Sequence, residues 1–171
     1  MAQPPWLPDL ELLQSYSGNW ANYEEALYQL FLDDFVRRST YFRGSKIALK
    51  RHPEFKGKSA TFWHITSEGK VENERTPDLR RCERIRWPRP LIENCNDAEV
   101  KVWEEMRNNE LRVHIWLEQM DYLLVLAVRN GYYVLWTAFY IDHPHQRKKY
   151  EKRFEAAKIA EAASSEDKTA S

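Results

Sequence analysis

His64 is the residue of this chain best suited to move a proton near neutral pH. It stands in the run Ser59-Ala60-Thr61-Phe62-Trp63-His64-Ile65-Thr66-Ser67-Glu68, with hydroxyls and a carboxylate close behind it. Arginines follow at Arg75, Arg80, Arg81, Arg84, Arg86 and Arg89. An imidazole beside clustered guanidinium groups is what phosphodiester chemistry requires. The imidazole transfers the proton; the cations hold phosphate and stabilise the charge that builds up in the transition state. Further polar candidates are His114 and Glu118, Thr137 and Tyr140, His143, and the pair Lys148 and Lys149.

The elements that must position these groups are readable from periodicity. Residues 8–38 read as helical, with Trp20, Tyr23, Leu27, Leu30 and Phe31 at helical spacing after an interruption at Ser17-Gly18-Asn19. Lys46 to Leu49 is a possible short strand, and residues 52–58 form a loop. Thr61 to Thr66 alternates well enough for a strand that would carry His64. Thr76-Pro77 offers a cap and first position for a helix running to about Arg86, and residues 88–99 read as loop. The C-terminal half reads as a meander: Val100 to Glu105, Leu111 to Glu118, Tyr122 to Val128 and Tyr132 to Ile141, with turns at Asn108-Asn109 and Asn130-Gly131. A helix follows from about His145 to Ala163, docking through Tyr150, Phe154 and Ala157. The polar tail 164–171 is expected to be disordered. The predicted fold class is α+β: a mainly antiparallel sheet of about four or five strands with N-terminal helices and a C-terminal helix packed on it. We divide the chain into a helical segment 1–42, an α+β domain 43–163 and the tail.

Several chemistries lack their motifs. There is no P-loop, GxGxxG or GxSxG, and five glycines are too few for Gly-rich phosphate cradles. His143-Pro144-His145 has no nearby Cys ligand, so no metal or other cofactor is expected. What is left suits metal-free RNA cleavage. A base takes the ribose 2′-OH proton, a cation stabilises the phosphorane, and an acid protonates the leaving 5′-oxygen. Trp87 and Trp116 are candidate stacking platforms for a splayed base.

The run Gly131-Tyr132-Tyr133-Val134-Leu135-Trp136-Thr137-Ala138-Phe139-Tyr140, followed by a basic helix, resembles the final strand of small ribonuclease toxins. The segment ending in His64-Ile65-Thr66 resembles their earlier strand. Residues 45–160 as a whole resemble the barnase–EndoU–colicin–RelE superfamily of nucleases, and its phage- and prophage-encoded branches in particular. The resemblance implies metal-independent cleavage through a 2′,3′-cyclic phosphate. In EndoU-like members it implies a Ser or Thr and a Tyr on late strands acting with two histidines and a lysine. Thr137, Tyr140 and His64 match these roles; His114 and His143 both compete for the second histidine. The three-residue spacing of Thr137 and Tyr140 puts them on opposite faces of an ideal strand.

The expected catalytic set is His64, Thr66, Arg80, Arg81, Thr137 and Tyr140. The expected RNA contacts are Arg84, Trp87, His114, Trp116, Lys148 and Lys149. The alternative is a non-catalytic nucleic-acid-binding or phage accessory protein with a nuclease-like fold. RNA is the expected partner, with an antitoxin or inhibitor protein as a second.

Composition bounds the rest. The 171 residues suit one domain, and 43% hydrophobic content supplies a sizeable core. Seven Trp and nine Tyr are many for this length, so some rings are expected at a binding surface. Net charge is zero, but the distribution is split, with no Lys or Arg before Arg37. The acidic N-terminal helices either extend the core, which we favour, or cover the basic groove. Two cysteines without a CxxC, no secretory signal and no apolar run of about 20 residues predict a cytoplasmic protein without a membrane span.

Overall fold

Asn19 starts the first helix, α1 (Trp20–Leu32), by accepting from the Asn22 amide at 3.0 Å. Tyr23, Leu27 and Phe31 recur every fourth residue and are buried. This computed structural model describes residues 2–170; Met1 of the 1–42 segment and Ser171 of the tail lie outside the described residues. A π-helical turn, Asp33–Arg37, leads to the short hairpin β1 (Tyr41–Phe42) and β2 (Ser45–Leu49). Next come α2 (Ala60–Thr66), the two-residue strands β3 (Ser67–Glu68) and β4 (Thr76–Pro77), α3 (Leu79–Glu83) and α4 (Pro88–Glu93). The meander follows as β5 (Val100–Arg107), β6 (Glu110–Leu117), β7 (Tyr122–Arg129) and β8 (Tyr132–Tyr140), and α5 (Pro144–Thr169) closes the described chain.

The fold is α+β, but the sheet differs from the expected one. It has six strands in the order β1-β2-β8-β7-β6-β5 and is mixed. β2 lies parallel to β8, pairing Ile47 with Tyr133 and Leu49 with Leu135. The pairing joins segments more than 80 residues apart in sequence, and no local signal marks it. The sheet curls: Arg43, at the tip of the β1–β2 hairpin, donates to Glu104 on the opposite edge strand. Turn chemistry also differs. Asn108 and Asn109 both take positive φ, as a type I′ turn demands, whereas at Asn130-Gly131 only Gly131 does, with φ 83°.

Each face of the sheet carries its own apolar cluster. On one, Val113, Ile115, Tyr122, Leu124, Leu126 and Leu135 pack against α1, α2 and α4. The α1 residues Tyr23, Leu27 and Phe31 belong to this same main core. On the other, Trp103, Trp116, Leu123 and Val125 meet Tyr150, Phe154 and Ala157 of α5, the docking residues expected from the sequence. No helix among the described residues is long and apolar enough to cross a membrane.

Four local expectations are corrected. Residues 60–66 are helical, because Ser59 caps them and the helix is buried on nearly every side, leaving no amphipathic stripe to read. Asp78, not Thr76, caps α3, accepting from the amides of Arg80 and Arg81 at 3.0 and 3.3 Å. Within the expected loop 88–99, Pro88–Glu93 forms α4, with proline in its first turn. The C-terminal helix continues to Thr169, so the tail is helical where disorder was expected, although every residue from 158 to 170 is exposed.

Candidate functional site

β2 ends at Leu49 while β8 runs on to Tyr140, so the second half of β8 lacks a neighbouring strand on that side. Helix α2 fills the gap. The Lys50 amide donates to Thr61 Oγ1 at 2.7 Å, and Thr61 Oγ1 in turn reaches the Leu135 carbonyl at 3.4 Å. One turn later His64 Nδ1 lies 3.3 Å from the Trp136 carbonyl, and Thr137 Oγ1 donates to the His64 carbonyl at 3.2 Å. His64 is therefore fixed to the sheet edge through both its ring and its backbone.

The other ring nitrogen, Nε2, lies 2.8 Å from Glu72 Oε1. Glu72 opens a short 3₁₀ turn, Glu72–Glu74. Arg75 ties this loop down by donating to Ser67 Oγ, the Ser67 carbonyl and the Gly69 carbonyl at 2.9, 2.6 and 2.6 Å. Both nitrogens of His64 thus face acceptors. A doubly protonated ring donates to both, a neutral ring to only one.

Beside His64, β8 bulges. Val125 pairs with Thr137 and Leu126 with Leu135, which leaves Trp136 without a β7 partner. Its half-buried indole lies 6.1 Å from the His64 ring, centroid to centroid. Three cations gather on it: the Arg112 guanidinium at 4.1 Å from the ring centre, Lys50 Nζ at 5.1 Å and the Arg129 guanidinium at 6.0 Å. Glu110 pairs with Arg112 and lies 3.7 Å from Arg129, so one carboxylate faces two of the three cations. Arg112 Nε is buried without a partner among the described residues. The arrangement can bind an anion beside an imidazole that is oriented by a carboxylate.

The expected residues divide sharply. His64 and Thr137 are brought together, and Arg81 joins them by donating to the carbonyls of His64 and Ser67, both at 2.9 Å. This spends Arg81 on holding α2 and β3, with further support from Asp78 at 3.3 Å. Thr66 is buried and back-bonds to the Phe62 carbonyl at 2.8 Å, so it leaves the catalytic set. Arg80 pairs with Asp142 and sits 5.0 Å over the Tyr140 ring. Arg84 lies between Trp87 and Tyr140, at 5.0 and 4.4 Å, and donates to the Arg80 carbonyl. Tyr140 pairs with Tyr122 across the sheet and Thr137 with Val125, so the two project from opposite faces as their spacing requires.

The expected base platforms are corrected. Trp87 and Trp116 are 1% and 0% exposed; large rings on an inner face are drawn into the two cores, and neither is open to a base. His114 is buried too, stacked at 4.8 Å on Trp103 with Nε2 facing Arg153 and Glu105 at 3.3 Å each. Burial pushes the His114 imidazole down to about 4; Glu105 opposes this, while Arg153, Arg107 and Arg112 reinforce it. Burial also raises the Glu105 carboxyl, but hydrogen bonds from Arg153 and Trp103 with the neighbouring charges more than offset it, so the group lies below its ordinary value. Lys148 and Lys149 are exposed on the first turns of α5, where the His143 and His145 rings stack at 5.4 Å. Among the described residues, no group of three or more His, Cys, Asp or Glu side chains gathers to hold a metal ion.

Glu72, Trp136, Lys50, Arg112 and Arg129 escaped the sequence reading. The polar alternation of Arg112 with His114 along β6 was the one available signal for Arg112. Convergence on Trp136 depends on strand register and the bulge, which the sequence does not display. Compared with protein-family models, with curated proteins and with solved structures, the chain matches none.

Proposed function

We propose that this chain is a metal-independent endoribonuclease of toxin type, belonging to the nuclease superfamily it resembles. The observation that carries the reading is the His64–Glu72 pair beside the cation-ringed Trp136. In this reading Lys50, Arg112 and Arg129 hold the scissile phosphate and neutralise the charge growing on it. His64 transfers the proton, and Glu72 orients the ring and compensates its charge. Thr137 and Arg81 are positioning residues acting through the His64 backbone.

The test is incubation of the purified protein with mixed cellular RNA in EDTA, beside His64→Ala and Glu72→Gln. Wild-type cleavage leaving 2′,3′-cyclic phosphate ends, lost in His64→Ala and reduced in Glu72→Gln with folding intact, is the expected result. Undiminished activity in His64→Ala refutes the assignment.

One observation favours a second reading, RNA binding without cleavage: His64 is the only histidine with a ring contact to Trp136 among the described residues, so no second imidazole partners it there. Intact RNA together with saltsensitive binding would establish it.

A further inference from the structure

Helix α5 outlasts the body it packs on. Ala157 is the last of its apolar side chains to meet the sheet, and every residue from 158 to 170 is exposed. A helix of about 12 residues is marginal in water on its own, even when rich in alanine. Packing against a second surface would stabilise this extension. Ile159, on it, is 70% exposed, more than any other large apolar side chain among the described residues.

The outward face of α5 is regular along its length. In the docked half, Tyr150, Arg153, Phe154 and Ala157 turn toward the sheet, while His145, Lys149, Lys152 and Ala156 are exposed. Ile159, Ala163 and Glu166 continue that exposed line at alternating steps of three and four residues, the spacing by which one helix seats on another. The chemistry changes along the line. Residues 145–153 hold five Lys or Arg against one Glu, whereas residues 154–169 hold four Asp or Glu against two Lys. Arg147 and Arg153 are already paired with carboxylates of the body, whereas Lys148, Lys149 and Lys152 have none at ion-pair distance among the described residues. The exposed face is therefore basic at its docked start and acidic at its projecting end, with Ala156, Ile159 and Ala160 between.

We propose that the exposed face of α5 is an interface for a second copy of this chain, with the two α5 helices antiparallel. A two-fold axis between Ala157 and Lys158 sets Ala156 of each copy across from Ile159 of the other, Lys152 across from Ala163 and Lys149 across from Glu166. Basic start thus meets acidic end twice, once at each end of the pair. The parallel arrangement sets Lys149 against Lys149 and Glu166 against Glu166, so charge selects the antiparallel one. Each docked half faces its own sheet on the opposite side, which keeps the two bodies outside the helix pair. The apolar centre is small, so the pair is weak, with a dissociation constant of about 10–100 µM. In unfolding experiments at about 1 µM the chain is then monomeric, and the extension adds nothing to its stability.

The test is sedimentation equilibrium of the full chain from about 5 µM to about 500 µM, over which the mass should rise from monomer toward dimer. Ile159→Asp should weaken association by at least about tenfold. Lys149→Glu and Glu166→Lys should each do the same, because each sets like charges across both ends of the pair. An equimolar mixture of those two variants should associate about as tightly as wild type, since each altered residue then faces the altered residue of the other copy. All three positions are exposed, so unchanged urea midpoints at about 1 µM show that the variants fold. The proposal is overturned by a monomer throughout the range, by a dimer indifferent to Ile159→Asp, or by a mixture that fails to recover. Tighter association of Lys149→Glu would mark parallel pairing and overturn it as well. A monomer whose RNA binding weakens with Lys149→Glu would assign the basic turn to nucleic acid and overturn it too.

Discussion

Acidification should destabilise this protein through one buried ring. His114 has its folded-state value pushed down to about 4, against about 6.5 in an unfolded chain. Between these two values the unfolded state binds a proton that the folded state refuses. Stability therefore rises with pH across the window and falls as pH drops from about 6.5 to about 4. The His114 contribution is fully present above about 6.5. Each pH unit in the window corresponds to about 1.4 kcal/mol, so the whole effect is roughly 3 kcal/mol, a large part of a typical total of about 5–15 kcal/mol. Glu105 adds a loss of the same sign at lower pH, because its folded value lies below the ordinary carboxylate value. The assay is urea unfolding, followed by tryptophan fluorescence, at a series of pH values between about 7 and 4.5 for wild type and His114→Gln. Glutamine keeps an acceptor for Arg153 but does not titrate. The variant should be less stable at neutral pH, yet its stability should fall less steeply by about 1 kcal/mol per unit within the window. Parallel curves for the two proteins would refute the reasoning.

Three further outcomes are expected. Lys50→Gln and Arg129→Gln should each weaken single-stranded RNA binding and reduce the slope of log affinity against log salt by about 0.7, measured by filter binding at several salt concentrations. Leu124→Ala, at a fully buried position of the main core, should cost about 2–5 kcal/mol in urea unfolding. Truncation after Ala157 should change the unfolding free energy by less than about 0.5 kcal/mol, because every described residue beyond it is exposed.

Elements whose order comes from local chemistry are legible in the chain alone. Period-two alternation and two asparagine turns were enough to place β5 to β8 within a few residues, and the spacing of Tyr150, Phe154 and Ala157 identified how α5 docks. His64 and Thr137 were both singled out, and the structure brings them together, but as a carbonyl bond between helix and strand. Helix α2 was misread because a seven-residue helix buried on nearly all sides has no polar face to reveal its period. The arginine cluster was legible as charge, whereas its use was not. Arg75, Arg81 and Arg84 are drawn onto backbone carbonyls and Arg80 onto Asp142, because donors close to the fold must be satisfied. Which cations stand near His64 depends on long-range pairing. Lys50 directly follows β2, and Arg112 and Arg129 lie on β6 and β7; they meet on Trp136 because parallel pairing, hairpin register and one bulge bring them there.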